Sequence, residues 1–148
     1  MKLSTKGRYG VRMMIDLAVH YGKGPVLLKD IARREEISEK YLSNLISPLK
    51  GIGLVEATRG VHGGFVLGKA PADITLKEIV EVLEGPLSLV DCVQKPAVCN
   101  RSSFCIARDL WSEAAASLSK TLRKYTLADM AERQKAKSED CSYDNYMI

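Results

Sequence analysis

Three of the four cysteines stand close together in the chain. Cys92, Cys99 and Cys105 are spaced Cys-x6-Cys-x5-Cys within 14 residues that show no helical periodicity. In the cytosol, clustered thiols favour metal or redox chemistry over stable disulfides. Zinc sites usually contain cysteine pairs separated by about two to four residues, so this wider spacing favours an iron–sulfur cluster. The spacing supplies three ligands, and the fourth is open among Asp109, Cys141, a histidine and a second subunit.

A second group of polar side chains has the pattern of a DNA-reading helix. The N-terminal turns of a helix predicted to begin after Ser38 carry Ser38, Glu39, Lys40, Tyr41, Ser43 and Asn44. In a helix-turn-helix, the second helix places such residues against base edges in the major groove. Asn44 is suited to a bidentate pair with adenine, whereas serine and lysine donate to base acceptors or phosphates.

Other residues extend the predicted DNA-binding set on both sides of this helix. A glycine-rich hairpin link follows it, in which we expect three residues to reach the DNA backbone or the neighbouring minor groove: Arg59, Gly60 and His62. Three cations lie where a first helix would pass the phosphates, namely Lys2, Lys6 and Arg8. Phosphate contacts of this kind position a protein without reading sequence.

The charge distribution supports a polyanionic partner for the first half of the chain. The total of 22 Lys and Arg against 18 Asp and Glu gives only +4. Residues 1–71 hold 12 basic and 6 acidic residues, a charge of +6, whereas residues 72–148 hold 10 and 12, a charge of −2. A basic half joined to a slightly acidic half indicates that only the first part binds nucleic acid.

These residues depend on a predicted order of elements that is mainly α with a small β-hairpin wing. Apolar periodicity predicts a helix from Thr5 to about Tyr21, a second from near Leu28, and a third after Ser38 in which Pro48 predicts a bend or a restart. Strand-like runs follow at 54–58 and 64–67, joined by the glycine-rich link. Together they predict a winged helix-turn-helix over residues 1–71, here called the winged module.

The second half is predicted to hold a connecting helix and a long helix on either side of the cysteines. We expect a connecting helix in 72–86, a cysteine-bearing cluster loop over 87–105 (the cysteine segment), a dimerisation helix and a short following helix over 106–136, and a polar tail over 137–148. A helix of about 20 residues spans about 30 Å. Its apolar stripe needs a partner, so we predict a homodimer in which two long helices pack together and complete the core.

Several functional classes are disfavoured by the sequence. No run approaches the roughly 18 apolar residues of a membrane span, and the N-terminus lacks the pattern of a secretion signal, so we expect a cytoplasmic protein. The chain contains no glycine-rich cofactor loop, catalytic triad or paired acid–base constellation. We therefore expect a DNA-binding protein that is not an enzyme.

The chain closely resembles the IscR-like family of winged-helix iron–sulfur cluster regulators. The resemblance runs from the opening at 1–9 through 38–45 and 59–65 to the three cysteines and the following Leu110-Trp111. It implies a homodimer whose long helices cross, and a 2Fe-2S cluster on Cys92, Cys99 and Cys105. Cluster occupancy would then select which promoters are bound.

This sequence departs from that family at the expected fourth ligand. Cluster-assembly regulators carry a histidine three residues after the third cysteine, where this chain has Arg108. Relatives that ligate through the first helix have an acidic residue or histidine where this chain has Arg8 and Arg12. The fourth ligand therefore stays open, and Asp109 is our choice among the candidates.

Two other functions remain open on the sequence. A cousin of the family, the cysteine-metabolism repressor, shares the Gly85-Pro86 region and a similar aromatic tail, lacks the three-cysteine motif and is governed by a partner enzyme. A clusterless repressor of sulfur metabolism is therefore the first alternative. The second is a redox protein that uses the cysteines, with the basic half as a docking surface.

For the leading hypothesis of a DNA-binding regulator, two winged modules on a dimer predict a roughly palindromic operator. Its half-sites would lie about 34 Å or a multiple of that distance apart.

Overall fold

The computed structural model describes residues 2–144, with side chains described as far as Ser142. Within this range the chain is mainly helical, with one two-stranded sheet and short 3-10 turns at Pro71–Asp73 and Pro96–Val98. The helices are α1 (Thr5–Val19), α2 (Leu28–Glu35), α3 (Glu39–Gly51), α4 (Leu76–Glu84), α5 (Asp91–Gln94), α6 (Ile106–Arg123) and α7 (Leu127–Asp144). The strands are β1 (Val55–Thr58) and β2 (Gly64–Leu67).

Serine side chains cap two helices of the winged module. Ser4 caps α1 by accepting a hydrogen bond from the Gly7 amide at 3.2 Å, and Ser38 caps α3 by accepting one from the Tyr41 amide at 3.1 Å. Side-chain oxygens at these positions satisfy backbone donors that the first turn of a helix leaves free. Pro48 lies inside α3, which continues past it to Gly51 without restarting.

The hairpin forms the predicted wing and is fastened to the segment between α1 and α2. β1 and β2 pair antiparallel with Val55 opposite Leu67 and Thr58 opposite Gly64. Val26 forms two backbone hydrogen bonds with Phe65, of 2.9 and 2.8 Å. A Cβ at Gly64 would lie 2.6 Å from the Val26 carbonyl oxygen, so only glycine permits this approach. The order of elements confirms a winged helix-turn-helix with a long helix after it.

One hydrophobic core runs through both halves of the chain. It includes Met13, Leu42 and Leu49 of the winged module together with Ile79 of α4 and Leu127 of α7, each at 0% exposure. Backbone hydrogen bonds of 2.8 Å from Leu76 to Tyr125 and from Leu127 to Ile74 join the starts of α4 and α7. Within one chain this core is covered by α4 and the first turns of α7, and the prediction that a second copy covers the apolar stripe of α6 stays a prediction.

The last helix is longer than predicted. We expected a short helix ending near residue 136 and a polar tail over 137–148, but α7 continues to Asp144. Residues 132–142 are all exposed, so this part has no apolar periodicity from which a helix is predicted. Seven of these eleven residues are Glu, Arg, Gln, Lys or Ala, which favour helix by intrinsic propensity. The remaining residues of the predicted tail, 145–148, lie outside the described residues.

The long helix lies on the outside of the chain. Ala115 is the single buried residue of α6, whereas Ile106, Leu110 and Trp111 are large apolar residues exposed at its N-terminal end. The predicted stripe is therefore present on α6, and its N-terminal half is exposed whereas Leu118 and Leu122 farther along are half-buried. None of the described helices is apolar over a length that could span a membrane.

Candidate functional site

α3 presents the polar face that the sequence predicts for a DNA-reading helix. Its apolar residues Leu42, Leu45, Ile46 and Leu49 are buried against the core. The opposite side is solvent-exposed and consists of Ser38, Glu39, Lys40, Ser43, Asn44 and Ser47. Since burial of one face fixes the orientation of the helix, the predicted base-contacting side chains are held outward near its N-terminal end.

Tyr41 differs from the other predicted contacts on α3, because its ring is half-buried. It packs edge-on against Tyr9 of α1, with ring centroids 5.8 Å apart and planes at 86°. The guanidinium carbons of Arg8 and Arg12 lie 5.7 and 5.4 Å from the centroid of the Tyr9 ring. These contacts attach the start of α3 to the basic side of α1. Tyr41 is therefore placed to orient α3 on α1.

The wing exposes a short turn at its tip. Arg59, Gly60, Val61 and His62 are all exposed, and the Gly63 amide donates to the Gly60 carbonyl at 3.0 Å. Val61 was missed in the sequence analysis, although at 97% it is the most exposed of the large apolar residues in the described chain. A valine between Gly60 and His62 was a sequence signal for an apolar group at the tip. The hairpin thus carries both cationic and apolar groups beyond the ends of its strands.

The N-terminal cations are exposed beside an acidic residue that the sequence analysis did not select. Lys2, Lys6 and Arg8 are exposed on and before the first turns of α1. Glu84, the last residue of α4, accepts hydrogen bonds from the Ser4 amide at 3.0 Å and the Gly7 amide at 3.1 Å. The available sequence signal was a pair of helical glycines, Gly7 and Gly10, since glycine within a helix often marks a close approach.

Two ion pairs hold α2 against α1 and so position the helix-turn-helix. Arg34 donates from Nε and Nη2 to the two carboxylate oxygens of Asp16, both at 2.7 Å, and the Asp16 side chain is only 4% exposed. The hydrogen bonds that Arg34 donates to Asp16 raise the pKa of Arg34 above its ordinary value, although burial partly opposes the shift. Arg12 of α1 donates to the Glu35 carboxylate at 3.0 Å.

The cysteine segment is held by hydrogen bonds of its own and does not gather its thiols. All three cysteines are free, with Cys99 exposed and Cys92 and Cys105 half-buried. Ser102 donates to the carbonyls of Pro96 and Cys99 at 2.6 and 2.9 Å. Among the described residues, no group of three or more His, Cys, Asp or Glu side chains is placed to share a metal ion. The assignment of Cys92, Cys99 and Cys105 as a ligand set stays a prediction.

Arg108 and Asp109, the two residues at the expected fourth-ligand position, have different surroundings. Arg108 donates from Nε to the Cys92 carbonyl at 2.9 Å and so ties the segment to α6. Asp109 lies exposed in the first turn of α6, four residues after Cys105. Cys141, another candidate ligand, lies exposed near the end of α7. The chain therefore uses Arg108 to attach the cysteine segment rather than to bind a metal.

A groove of about 740 Å³ lies beside α6. Its floor is mainly apolar, and charged residues of α1 and α4 stand at its edge. It is lined by Lys2, Leu3, Arg8, Val11, Arg12, Leu76, Val80, Glu84, Pro86, Leu87, Ser88, Leu89, Leu118 and Leu122. The groove joins the basic end of α1, the end of α4 and the C-terminal half of α6.

A helix-turn-helix with an exposed polar recognition helix and a basic wing defines a winged-helix DNA-binding protein. The chain belongs to the Rrf2 family, described as iron-dependent transcriptional regulators, whose model matches residues 3–133. It is thus a DNA-binding transcriptional regulator and not an enzyme, as the sequence analysis predicts.

Solved structures and relatives of this family share the fold over most of their length. The chain is 44% identical over 133 residues to the transcriptional regulator CymR of Bacillus subtilis, which covers 88% of this chain and 90% of CymR. The structure of CymR, described as the global cysteine regulator of B. subtilis, gives a TM-score of 0.75 over 90% of this chain and 98% of that one, at 42% identity. The structure of T. potens IscR also gives a TM-score of 0.75, at 41% identity. The match covers 90% of this chain and 88% of that one.

Proposed function

We propose that this regulator is a homodimer that binds a roughly palindromic DNA operator and whose promoter binding is controlled by a 2Fe-2S cluster on Cys92, Cys99 and Cys105. The observation that carries the DNA-binding part is the exposed polar face of α3 beside the exposed wing. Lys40, Ser43 and Asn44 are held outward by the buried side of the same helix, as base readout in the major groove requires. The regulated genes would be those of iron–sulfur cluster biogenesis or redox stress.

The DNA-reading role of α3 is tested by replacing Asn44 with alanine. A bidentate pair between asparagine and adenine contributes about 1–3 kcal/mol of discrimination, so operator affinity should fall roughly 5- to 150-fold. Ser47→Ala is the matched control, because Ser47 is exposed on the same helix one turn farther from its N-terminal end. Fluorescence anisotropy with a promoter duplex selected by the wild-type protein provides the measurement. Equal affinities of the two variants would overturn the assignment of α3.

A homodimer is supported by the apolar surface that α6 exposes. Ile106, Leu110 and Trp111, among the first six residues of α6, are 73%, 56% and 45% exposed. An exposed apolar patch of this kind usually marks an interaction surface. The groove beside the C-terminal half of α6 offers an apolar surface of matching character. We propose that the N-terminal half of α6 from a second copy occupies this groove. Each chain would then supply both an apolar patch, formed by Ile106, Leu110 and Trp111, and a groove.

The dimer is tested by placing a charge in this apolar patch on α6. Trp111→Glu should shift the protein from dimer to monomer, because pairing would then bury an unpaired carboxylate. Val98→Glu is the matched control, since Val98 is comparably exposed, at 59%, but lies outside α6. Light scattering coupled to size-exclusion chromatography measures the mass. A Trp111→Glu protein that remains dimeric would exclude this surface as the interface.

The cluster part of the proposal is supported by the chemistry of the donors. Three free thiols lie within one exposed segment, and thiolates are the ligands that iron–sulfur clusters use. Short helical turns and side-chain-to-backbone hydrogen bonds hold this segment. Bringing the thiols together would therefore rearrange surface chain and leave the core intact. Cys92, Cys99 and Cys105 would hold the cluster, with Asp109 as the candidate fourth ligand, and the bound cluster would supply a redox-sensitive state.

Anaerobic purification followed by absorption spectroscopy and by iron and sulfide analysis tests the cluster. The wild-type protein should be coloured and contain both elements, Cys92→Ala should lose them, and Cys141→Ala should retain them because Cys141 lies on α7. Cys92→Ala should still bind some promoter sites. A colourless, iron-free protein that cannot be reconstituted would overturn the cluster assignment while leaving DNA binding intact.

A clusterless repressor of cysteine or sulfur metabolism, controlled by a protein partner, is a second candidate. Two observations favour it: the 44% identity to CymR, and the absence of a gathered ligand set among the described residues. Under this hypothesis the iron-free protein would bind its operator fully, and a purified partner would change that affinity. Wild-type DNA binding that depends on reconstitution with iron and sulfide would exclude it.

A further inference from the structure

We infer that Glu84 is a positioning residue for phosphate binding by the N-terminus of α1. In this inference the Glu84 carboxylate holds the first turn of α1 in place and thereby fixes Lys2, Lys6 and Arg8 relative to the end of α4. The inference rests on the proposed function in one respect, namely that these cations contact DNA phosphates. Its new content is that an acidic residue distant in sequence strengthens the binding of an anionic ligand.

The hydrogen bonds of Glu84 converge on one oxygen. Oε1 accepts from the Ser4 amide at 3.0 Å, from the Gly7 amide at 3.1 Å and from the Ser4 hydroxyl. The Gly7 amide is shared, since it also donates to the Ser4 hydroxyl oxygen at 3.2 Å. The first amides of a helix have no partner within the helix, and the helix dipole favours an anion beside them. Glu84 thus acts as a second cap on α1, supplied by a residue 80 positions away.

Two glycines in α1 make room for this cap. A Cβ at Gly7 would lie 2.2 Å from Oε1 of Glu84, and a Cβ at Gly10 would lie 2.0 Å from Cδ1 of Leu83. Glycine is a poor helix former, so its presence at two positions on one side of α1 needs a compensating contact. The close approach of the last turn of α4 supplies it. The N-terminus of α1 is therefore fitted to Glu84 by shape as well as by hydrogen bonds.

Glu84 also lies next to the cysteine segment in the chain. It is the last residue of α4, and only Gly85 and Pro86 separate it from residue 87, where that segment begins. Gly85 has φ 88° and ψ −172°, a conformation that favours glycine and turns the chain sharply out of α4. A change in the course of the cysteine segment would thus act on the phosphate-contacting turn through two residues.

Removal of Glu84 should change the affinity for DNA in the direction opposite to the one that charge alone predicts. Removing a carboxylate near Lys2 and Arg8 raises the local positive charge, and on charge alone DNA binding should become tighter. If Glu84 positions the cations, its removal frees the first turn of α1 and DNA binding becomes weaker. Glu81→Gln is the matched control for charge, because Glu81 lies one turn earlier on α4 and pairs with Lys77 at 3.1 Å.

The experiment measures binding to a mixed-sequence duplex of about 30 base pairs, because phosphate contacts dominate non-specific affinity. Fluorescence anisotropy at several salt concentrations gives the affinity and its salt slope. We expect Glu84→Ala to weaken binding about three- to tenfold. The slope of log affinity against log salt concentration should become smaller by about 0.9, which corresponds to the loss of one phosphate contact. Glu84→Gln, which keeps an acceptor oxygen without the charge, should lie between Glu84→Ala and the wild type. Glu81→Gln should bind as tightly as the wild type or more tightly.

Hydrogen exchange distinguishes a local effect of the Glu84 substitution from unfolding. Lys6→Ala shows whether the N-terminal cations contact phosphates at all. In Glu84→Ala the Gly7 amide should exchange faster while the amides of α3 keep their protection, which shows a local effect in a folded protein. If Lys6→Ala weakens binding but both Glu84 variants bind as tightly as the wild type with unchanged slope, the inference is overturned. If Lys6→Ala itself leaves binding unchanged, the proposed phosphate contacts fail and this inference fails with them.

Discussion

Replacing Arg34 with methionine should destabilise the protein because it removes the guanidinium from the buried Asp16 carboxylate and leaves only the His20 imidazole, 3.5 Å away, beside it. The Asp16 side chain is 4% exposed and accepts two hydrogen bonds of 2.7 Å from the guanidinium. Removing one member of a buried pair typically costs about 3–5 kcal/mol, since the other charge stays desolvated. The Arg34 side chain is 31% exposed, so water partly reaches the pair. We therefore expect a loss of about 2–4 kcal/mol in the free energy of unfolding.

Replacing the other partner of this pair, Asp16→Asn, should lower the free energy of unfolding by less. Arg34 lies at the edge of the protein, and its guanidinium can turn toward water once the carboxylate is gone, so we expect about 1–2 kcal/mol. Arg33→Met provides the matched control on the same helix. Arg33 is 75% exposed and only 3.6 Å from Asp30, and exposed pairs of this kind contribute less than about 1 kcal/mol.

Urea denaturation at one fixed protomer concentration measures these differences, since association would otherwise change the apparent stability. The expected order of destabilisation is Arg34→Met, then Asp16→Asn, then Arg33→Met. Because the pair holds α2 on α1, Arg34→Met should also weaken operator binding at a temperature where the variant is folded. The reasoning is refuted if Arg34→Met costs no more than Arg33→Met, or if Asp16→Asn is the more damaging of the pair.

Three further outcomes follow from the same structure. Gly10→Ala should lower the free energy of unfolding by about 1–3 kcal/mol, because the new methyl group overlaps Leu83; Gly51→Ala, with open space around it, should be neutral or stabilising in the same denaturation assay. Burial opposes ionisation of Glu78, but hydrogen bonds from Thr75 and attraction to Lys69 lower its pKa below the ordinary 4.5. The stability that Glu78 adds is thus present above pH 4.5 and lost as pH falls through the lower folded-state pKa, so thermal unfolding of Glu78→Gln should approach the wild type in acid. Arg59→Ala should weaken operator binding and lower the salt slope by about 0.9 if Arg59 contacts one phosphate; an unchanged slope would exclude that contact.

The elements of the winged module were predictable because local signals carry them. Apolar spacing along α1 and α3, the caps at Ser4 and Ser38, and the glycine-rich link between the strands all act within a few residues. The same reasoning failed for the second half of α7, which is polar on every side and has no core-facing stripe. The contact of Tyr41 with Tyr9 was not predictable, because the approach of another helix is not visible in the spacing.

The candidate site was predictable in its residue types and less so in its contacts. Lys40, Ser43 and Asn44 could be selected from the polar side of one helix, and the structure holds them exposed. Glu84 could not be selected, since its partners Ser4 and Gly7 are about 80 positions away in the chain. The positions of the three thiols were also beyond prediction, because a segment of short turns is directed by side-chain-to-backbone hydrogen bonds that have no sequence period.

Charge, cysteine spacing and helical periodicity are properties of the chain, so a basic winged module followed by a thiol-bearing, slightly acidic half could be predicted from the sequence. The way in which the halves are joined depends on tertiary contacts. Leu127 and Ile79 enter the core of the winged module, and Glu84 caps the helix that carries the predicted phosphate contacts. The physical reason is that burial and hydrogen bonding satisfy groups wherever they meet in space, and distance along the chain sets no limit on which groups meet.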